Sequence, residues 1–494
     1  MTLVMARKKR PPAAGVLVLF IFSLMGAFFC VAQMSGATGS SESWPILVMT
    51  TSLSWVVVYL AATYSYYRTL YLFGNAYIIA LFMFHLGLIY QIALGVVQAS
   101  SWTSGAMAEW VEAAAWYVVL ALCSLGIGVA CSILFKIDRE STSNTVSLQR
   151  NRTMAFLLSN SQGLGLACIC FLIMTILSYG NIFAYSRAEL FNLQTDTRGF
   201  GVLMMVLPGA VTLFVLAAQT ATQKLIAYSL GVFVFLVIML SGYRSAALFP
   251  ALVGTVLWIK SGRKIPAVVA VGGVLFVLMA ISVVGVFRQM GSYDSLKAEK
   301  LQTSFDNASL DSSITEMGQT VGVLANVIKL VPAVDSHTYG NSYWLAFKEM
   351  FPNVGGNINS EKSRSARKNK ATFDQAELVK MAPADWITYR LNRWKFDNGQ
   401  GVGFSAVAEP YLNFGTAGVV LFFIFLGFLF GRLDMLNLVA HPYIFLMVAT
   451  IFWPFIRTVR NDFGNFSKPA GFILIIILIW NLSLKVAGRY RKPI

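Results

Sequence analysis

Apolar residues in this chain fall in runs of about twenty, the length a helix needs to cross roughly 30 Å of hydrocarbon at 1.5 Å per residue. A run of that length folds only where lipid or other helices cover it. Charged residues make up 12% of the 494, about half the share of an ordinary water-soluble domain, so a soluble enzyme is excluded. The reading is an all-α polytopic membrane protein.

Hydropathy predicts about twelve spans, near 15–34, 45–64, 72–97, 113–135, 155–178, 201–219, 225–241, 246–259, 265–287, 416–431, 441–455 and 469–486. One large external loop separates spans nine and ten. The chain therefore divides into helices 1–9 (1–287), a partly helical loop (288–413) and helices 10–12 (414–494). Arg7, Lys8, Lys9 and Arg10 precede the first span and Lys485, Arg489, Arg491 and Lys492 close the last, which places both termini in the cytoplasm. On this threading the inner side holds 18 of the 38 Lys and Arg but only 3 of the 22 Asp and Glu. The outer side holds 20 and 19, so nearly all of the +16 net charge is cytoplasmic. That asymmetry is orientation and argues against a nucleic-acid partner. The first span reads as a retained anchor, although small residues from Ser35 to Ser40 also fit a cleaved signal peptide. Within the loop, 314–330 carries apolar residues at helical spacing and 361–370 is a highly charged arm. No repeat suggests the inverted halves of a secondary transporter.

Outside the loop, the external cations at the membrane edge are Arg187, Arg198, Arg244, Arg288, Arg457, Arg460 and Lys468. Arginine's planar fork matches two phosphate oxygens and keeps its charge when partly desolvated, so the bias suggests an anionic ligand. The alternative is snorkelling to headgroups, or pairing with Glu189, Asp196 and Asp462. Arg244, in LSGYRSAALFP, sits in so short a connection that it must lie at or below the outer surface. A charge there costs on the order of 2.5 kcal/mol unless it meets a polar cavity, a carboxylate or an anion. Pro250 is expected to break the helix that follows, opening backbone groups to that cavity. In FIRTVRNDFGNF, Arg457 and Arg460 share one helical face and together suit a pyrophosphate, with Asp462 a potential partner of Arg460.

The loop ends in GQGVGFSAVAEPYLNFGTAGVVLFF. Gly399, Gly401 and Gly403 permit a tight path, and Glu409 arrives just before the tenth span, either as a general base for a sugar hydroxyl or as an anchor for an arginine. The three histidines, His85, His337 and His441, lie on separate segments, so neither a metal nor any other cofactor is expected. No phosphate-binding nucleotide loop is present, and the reaction energy must come from the substrate.

SGYRSAAL at a helical hairpin, the large late loop and the exit string G-x-G-F-S-x-x-x-E-P-Y-L-N-F-G-x-x-G resemble Wzy-type polymerases of O-antigen and related bacterial polysaccharides. The resemblance implies a metal-independent, inverting glycosyltransferase of the inner membrane, working on the periplasmic side. Its substrates would be undecaprenyl-diphosphate-linked oligosaccharides, with a chain-length-regulating co-polymerase and a flippase as neighbours. It also implies Glu409 and Arg244 as catalytic residues. Topology adds Arg288, Arg457, Arg460, Arg187 and Arg198 as diphosphate ligands. Trp386, Arg390, Arg393 and Tyr411 are candidates for sugar binding, or else pack the loop's own core. Two rivals stand beside this: an O-antigen ligase, whose relatives carry a histidine where the 399–414 stretch has none unless loop folding brings His337 there as an alternative base to Glu409, and a lipid-linked-oligosaccharide flippase or exporter without chemistry.

Overall fold

The computed structural model describes residues 14–36, 43–97, 107–135, 146–179, 200–240, 244–266, 268, 272–273, 314–315, 317–351, 373–378, 380–397 and 401–488. The membrane part begins with α1 (Ala14–Gly36), α2 (Trp44–Tyr67), α3 (Phe73–His85), α4 (Gly87–Ala93), α5 (Ala108–Leu134) and α6 (Val146–Tyr179). It continues with α7 (Phe200–Ala217), α8 (Ala221–Leu240) and α9 (Arg244–Lys260). The loop contributes α10 (Thr320–Leu330), α11 (Asn341–Glu349), α12 (Gln375–Leu378), α13 (Pro383–Leu391) and α14 (Arg393–Asp397). Then follow α15 (Ala408–Met435), α16 (Pro442–Arg457) and α17 (Gly464–Val486). No strand occurs among the described residues.

Nine of these helices are long and apolar enough to cross a membrane, and each matches one of the twelve expected spans. The other three expectations meet different outcomes. The third span is not continuous: α3 and α4 meet at a bend of 58°. Hydropathy could not show this, because it does not register the Gly87 in the joint or the loop segment packed on it. A Cβ on Gly318 would come within 2.3 Å of the Leu88 backbone nitrogen, and Thr315 donates to Gln91 at 2.6 Å. The eighth, α9, has 17 residues and so runs only about 25 Å, short of a full crossing. Pro250 does not break it, since a single lost backbone hydrogen bond is outweighed by buried Phe249 and Val253 on either side. The ninth falls almost wholly outside the described residues.

The core of the bundle is α5, whose alanines, glycines and serines let neighbours approach closely. Against α15 the approach reaches backbone contact: a Cβ on Gly128 would meet the Ile424 carbonyl oxygen at 2.0 Å, and one on Gly427 the Leu125 carbonyl oxygen at 2.1 Å. Without a hydrophobic drive between helices in lipid, such close van der Waals packing is what holds spans together. In the loop, α10 turns Val321, Leu324, Ala325 and Ile328 inward and leaves Asn326 and Lys329 outward, the amphipathic pattern expected for 314–330.

One ion pair sets the relative direction of the helices that matter for function. Lys260, at the end of α9, pairs with the buried Asp434 near the end of α15 at 3.1 Å. Asp434 also accepts the Phe73 and Gly74 backbone N–H groups that open α3. With their C-terminal ends joined, the N-terminal ends of α9 and α15 point the same way. Counting 1.5 Å per residue from that pair, Arg244 lies about 24 Å along α9, and Thr416, where the unbroken part of α15 starts, about 27 Å along its own helix, with Glu409 beyond it. α16 runs opposite to α15, which brings Arg457 to the Glu409 end.

Candidate functional site

Residues at that end are knotted together by backbone hydrogen bonds. The Phe404 N–H donates to the Arg460 carbonyl at 2.9 Å, and the Ala406 N–H to that of Val459 at 3.5 Å. Gly403 makes this possible. Its φ is +81°, and a Cβ there would lie 2.9 Å from the Arg460 carbonyl oxygen. Gly403→Ala is therefore expected to cost about 1–3 kcal/mol of local stability. The measurement is thermal unfolding of the purified protein; an unchanged midpoint would show that the pairing of the two segments is dispensable.

Glu409 sits in the first turn of α15 and is 2% exposed. Its carboxylate accepts the Ser342 hydroxyl at 2.8 Å on one oxygen and the Phe463 backbone N–H at 2.8 Å on the other. Asn413, one turn on, uses its full capacity. Its amide donates to Ser342 Oγ (2.7 Å) and the Glu409 carbonyl (2.8 Å), while its oxygen accepts the Thr338 hydroxyl (2.7 Å) and the Gly340 N–H (2.8 Å). Because Ser342 accepts from Asn413, its own proton points at Glu409. Beyond Asn413 the helix breaks at Phe414 and Gly415 (φ 63°, ψ −149°), and the membrane-length run begins where hydropathy placed it.

Burial pushes the Tyr343 phenol well above its usual pKa, with the neighbouring Glu409 and Tyr77 adding to the shift. Tyr343 thus stays protonated beside the carboxylate. Glu349 is also raised, by burial first and then by Asp462 and Asp385, against the opposing effect of Lys468 at 3.3 Å.

The structure brings the Arg457 and Arg460 segment and the Glu409 exit motif into one place. The Arg460 guanidinium lies over the Phe84 ring (5.8 Å), and Phe84 in turn meets Phe249 of α9 (6.2 Å), five residues from Arg244. The start of α9 is therefore a neighbour of this knot; of Arg244 only the backbone is described. Arg187, Arg198 and Arg288 lie outside the described residues, as does the charged arm at 361–370. Asp462 gives its carboxylate to the Ala384 N–H (3.1 Å) and to Asn465 (side chain 2.9 Å), bracing the starts of α13 and α17.

Of the four candidates for sugar binding, Trp386 and Arg390 both hold Asp335. The indole donates at 3.1 Å and Arg390 forks across both oxygens, its Nε at 2.9 Å. Arg393 pairs with Asp397 at 2.8 Å and lies over Tyr389 at 4.7 Å. Tyr411 donates to the Val331 carbonyl at 3.3 Å and sits edge-on to Tyr117.

Sequence reasoning missed Ser342, Asn413 and His85, whereas His337 stood as the alternative base to Glu409. Asn413 was within reach, four residues after Glu409 and so on the same helical face. Ser342 had no signal, being 67 residues away. His85 and His337, remote in sequence, both come to the exit motif. His337 Nδ1 lies 3.2 Å from the Leu412 carbonyl oxygen. His85 Nδ1 lies 3.1 Å from the Leu81 carbonyl oxygen, so that nitrogen carries the proton and Nε2 accepts from Ser405 at 2.7 Å. Ser405 in turn accepts the Val407 and Ala408 N–H groups, which caps the turn that presents Glu409. Among the described residues no three His, Cys, Asp or Glu side chains converge where they would hold a metal ion.

No curated protein and no solved structure matches the chain. The family model for O-antigen polysaccharide polymerase Wzy matches residues 15–488, nearly the whole length. With a match of that extent over a multi-pass helical bundle, the chain belongs to the O-antigen polysaccharide polymerase Wzy family.

Proposed function

We propose that this protein joins undecaprenyl-diphosphate-linked oligosaccharide units into a polysaccharide on the periplasmic side of the inner membrane. The growing glycan on one lipid diphosphate is the donor. A hydroxyl on the terminal sugar of a second unit attacks the donor's anomeric carbon with inversion, the bond to the phosphate oxygen breaks, and undecaprenyl diphosphate leaves. Two physical demands follow: the departing diphosphate needs cations, and the attacking hydroxyl must lose a proton. Arg244, Arg288, Arg457 and Arg460 serve the first, with Arg187 and Arg198 in support. Glu409 meets the second. Tyr411, Trp386, Arg390 and Arg393 build the floor of the loop over which the acceptor sugars lie. A co-polymerase that regulates chain length and a flippase that supplies the units are its expected neighbours.

The observation that carries this reading is the Phe463 N–H on the Glu409 carboxylate, 2.8 Å long and three residues beyond Arg460. A base and a pair of forked cations are thus tied to one short segment. Arg244 adds to it as the first residue of α9, where the helix's free N–H groups also favour an anion.

The test is reconstitution of the purified protein with lipid-linked repeat units. Ladders of longer glycans are expected. Movement of units across the bilayer without elongation would make it a transporter, and transfer to lipid A core without elongation a ligase. Activity is expected to persist in excess chelator; loss that added divalent metal restores would overturn the metal-independent mechanism.

A further inference from the structure

Helix α11 buries Ser342, Leu345 and Ala346 yet leaves its largest apolar side chains outside. A helix on a water-exposed loop turns apolar residues inward and polar ones to solvent. Here Ser342 faces inward to Glu409, and Glu349 faces inward to Lys468. Trp344, Phe347 and Phe351, at i, i+3 and i+7, stand outward on the opposite side at 55%, 50% and 59% exposure. Their rings form one ridge, Trp344 stacked on Phe347 at 5.6 Å and Phe347 edge-on to Phe351 at 5.5 Å. Lys348 reaches over Trp344, its nitrogen 5.5 Å from the ring centre.

The helix's position gives the depth of this ridge. α11 packs on α17 so closely that a Cβ on Gly471 would lie 1.6 Å from the Met350 carbonyl oxygen. Gly471 is where the unbroken apolar run of α17 starts, so Met350 marks the boundary of the hydrocarbon. On its other flank, Tyr343 lies flat against Phe422 of α15 (6.2 Å, 10°), and the nearby Leu421 and Phe425 are exposed on that span. Tyr343, next to Trp344 in the chain, thus joins α11 to an exposed apolar face of a membrane-length helix. Tryptophan with an adjacent lysine is the side-chain chemistry suited to the headgroup boundary, where an apolar ring and a charged tip are both satisfied.

We infer that α11 lies in the outward membrane interface, with Trp344, Phe347 and Phe351 embedded among phospholipids of that leaflet. The same helix holds Glu409 through Ser342, two residues before Trp344. The bilayer surface therefore sets the depth of the carboxylate, a consequence that rests on the function proposed for Glu409, whereas the lipid contact itself does not.

The experiment places p-benzoylphenylalanine at Phe347, and separately at Trp344, in the full chain. Each exchange keeps an aromatic ring at the site. The protein is reconstituted in vesicles of phosphatidylethanolamine and phosphatidylglycerol, irradiated, and its peptides are weighed by mass spectrometry. Phospholipid adducts are expected at 347 and 344, at least fivefold above the same label at the exposed Lys380. No adduct above that control, or cross-links only to glycan or to another protein chain, would overturn the inference. Since the readout is a covalent mass, it stands or falls without regard to polymer synthesis.

Discussion

Glu409→Gln is expected to slow glycan elongation by roughly 100-fold or more, the usual contribution of a positioned general base. The substitution keeps size and shape but not basicity. It also has a structural cost, because Ser342 and the Phe463 N–H both need an acceptor and the amide offers one oxygen. Leaving one buried donor unmatched costs about 1–3 kcal/mol. Ser342→Ala separates the two effects, as it removes one of the same hydrogen bonds and leaves the carboxylate in place. If Glu409 takes the proton, Ser342→Ala loses activity only several-fold while Glu409→Gln loses it by the full factor at similar thermal stability. Equal losses from both, in step with their unfolding temperatures, would make Glu409 a bracket for the loop and no base. Purified protein with lipid-linked units supplies the rates.

Arg244→Lys is expected to cut polymer formation by about 10- to 100-fold with normal membrane insertion. Lysine keeps the charge, so the cost of placing a cation near hydrocarbon is little changed. What is lost is the fork, which binds two oxygens of one phosphate in fixed geometry. One charge-assisted hydrogen bond contributes about 1.5–3 kcal/mol, and 1.36 kcal/mol is tenfold in rate, which gives that range. The same loss should appear for Arg460→Lys, since its segment is tied to Glu409 through Phe404 and Phe463. Full-length glycan from Arg244→Lys would remove the diphosphate role from this residue. Loss of Arg244→Lys from the membrane fraction would instead point to a role in folding.

The two effects differ in kind. Glu409 acts on the proton of the acceptor and Arg244 on the charge of the leaving group, so a double variant should lose nearly the product of the two factors. Strong non-additivity would mean that each contributes only when the other is in place.

Much of the membrane architecture was legible in the chain because hydrocarbon imposes a length on every span. The prediction 45–64 became Trp44–Tyr67, and 201–219 became Phe200–Ala217. The predicted start of the tenth span at residue 416 falls on the break at Gly415, where hydropathy and backbone geometry mark the same boundary. Legibility ended where one segment acts on another. The bend between α3 and α4 falls at Gly87, where helix propensity is low, and is packed against Ile314 and Gly318, more than two hundred residues away, a contact that residues 72–97 do not show.

The candidate site divides in the same way. Its charges could be found by asking which ionisable residues stand at membrane ends, since each is costly there and needs a reason. Their partners could not. Asp462, next but one to Arg460, offered an ion pair in sequence, yet its carboxylate braces α13 and α17. Trp386 and Arg390 carry the chemistry of a sugar platform and are both engaged by Asp335, some fifty residues upstream.

By itself, the order of residues determined that this chain is a multi-pass helical membrane protein and where most of its membrane-length helices lie. Those are one-dimensional properties, set by transfer from water to lipid residue by residue. Only the tertiary structure decided that Ser342, Asn413 and Phe463 close around Glu409, that Arg460 joins them, and that His85 reaches Ser405 and His337 the Leu412 carbonyl on either side of Glu409. The reason is that hydrogen bonds between segments depend on which surfaces meet, and that is fixed by the packing of α5, α15 and the loop as a whole.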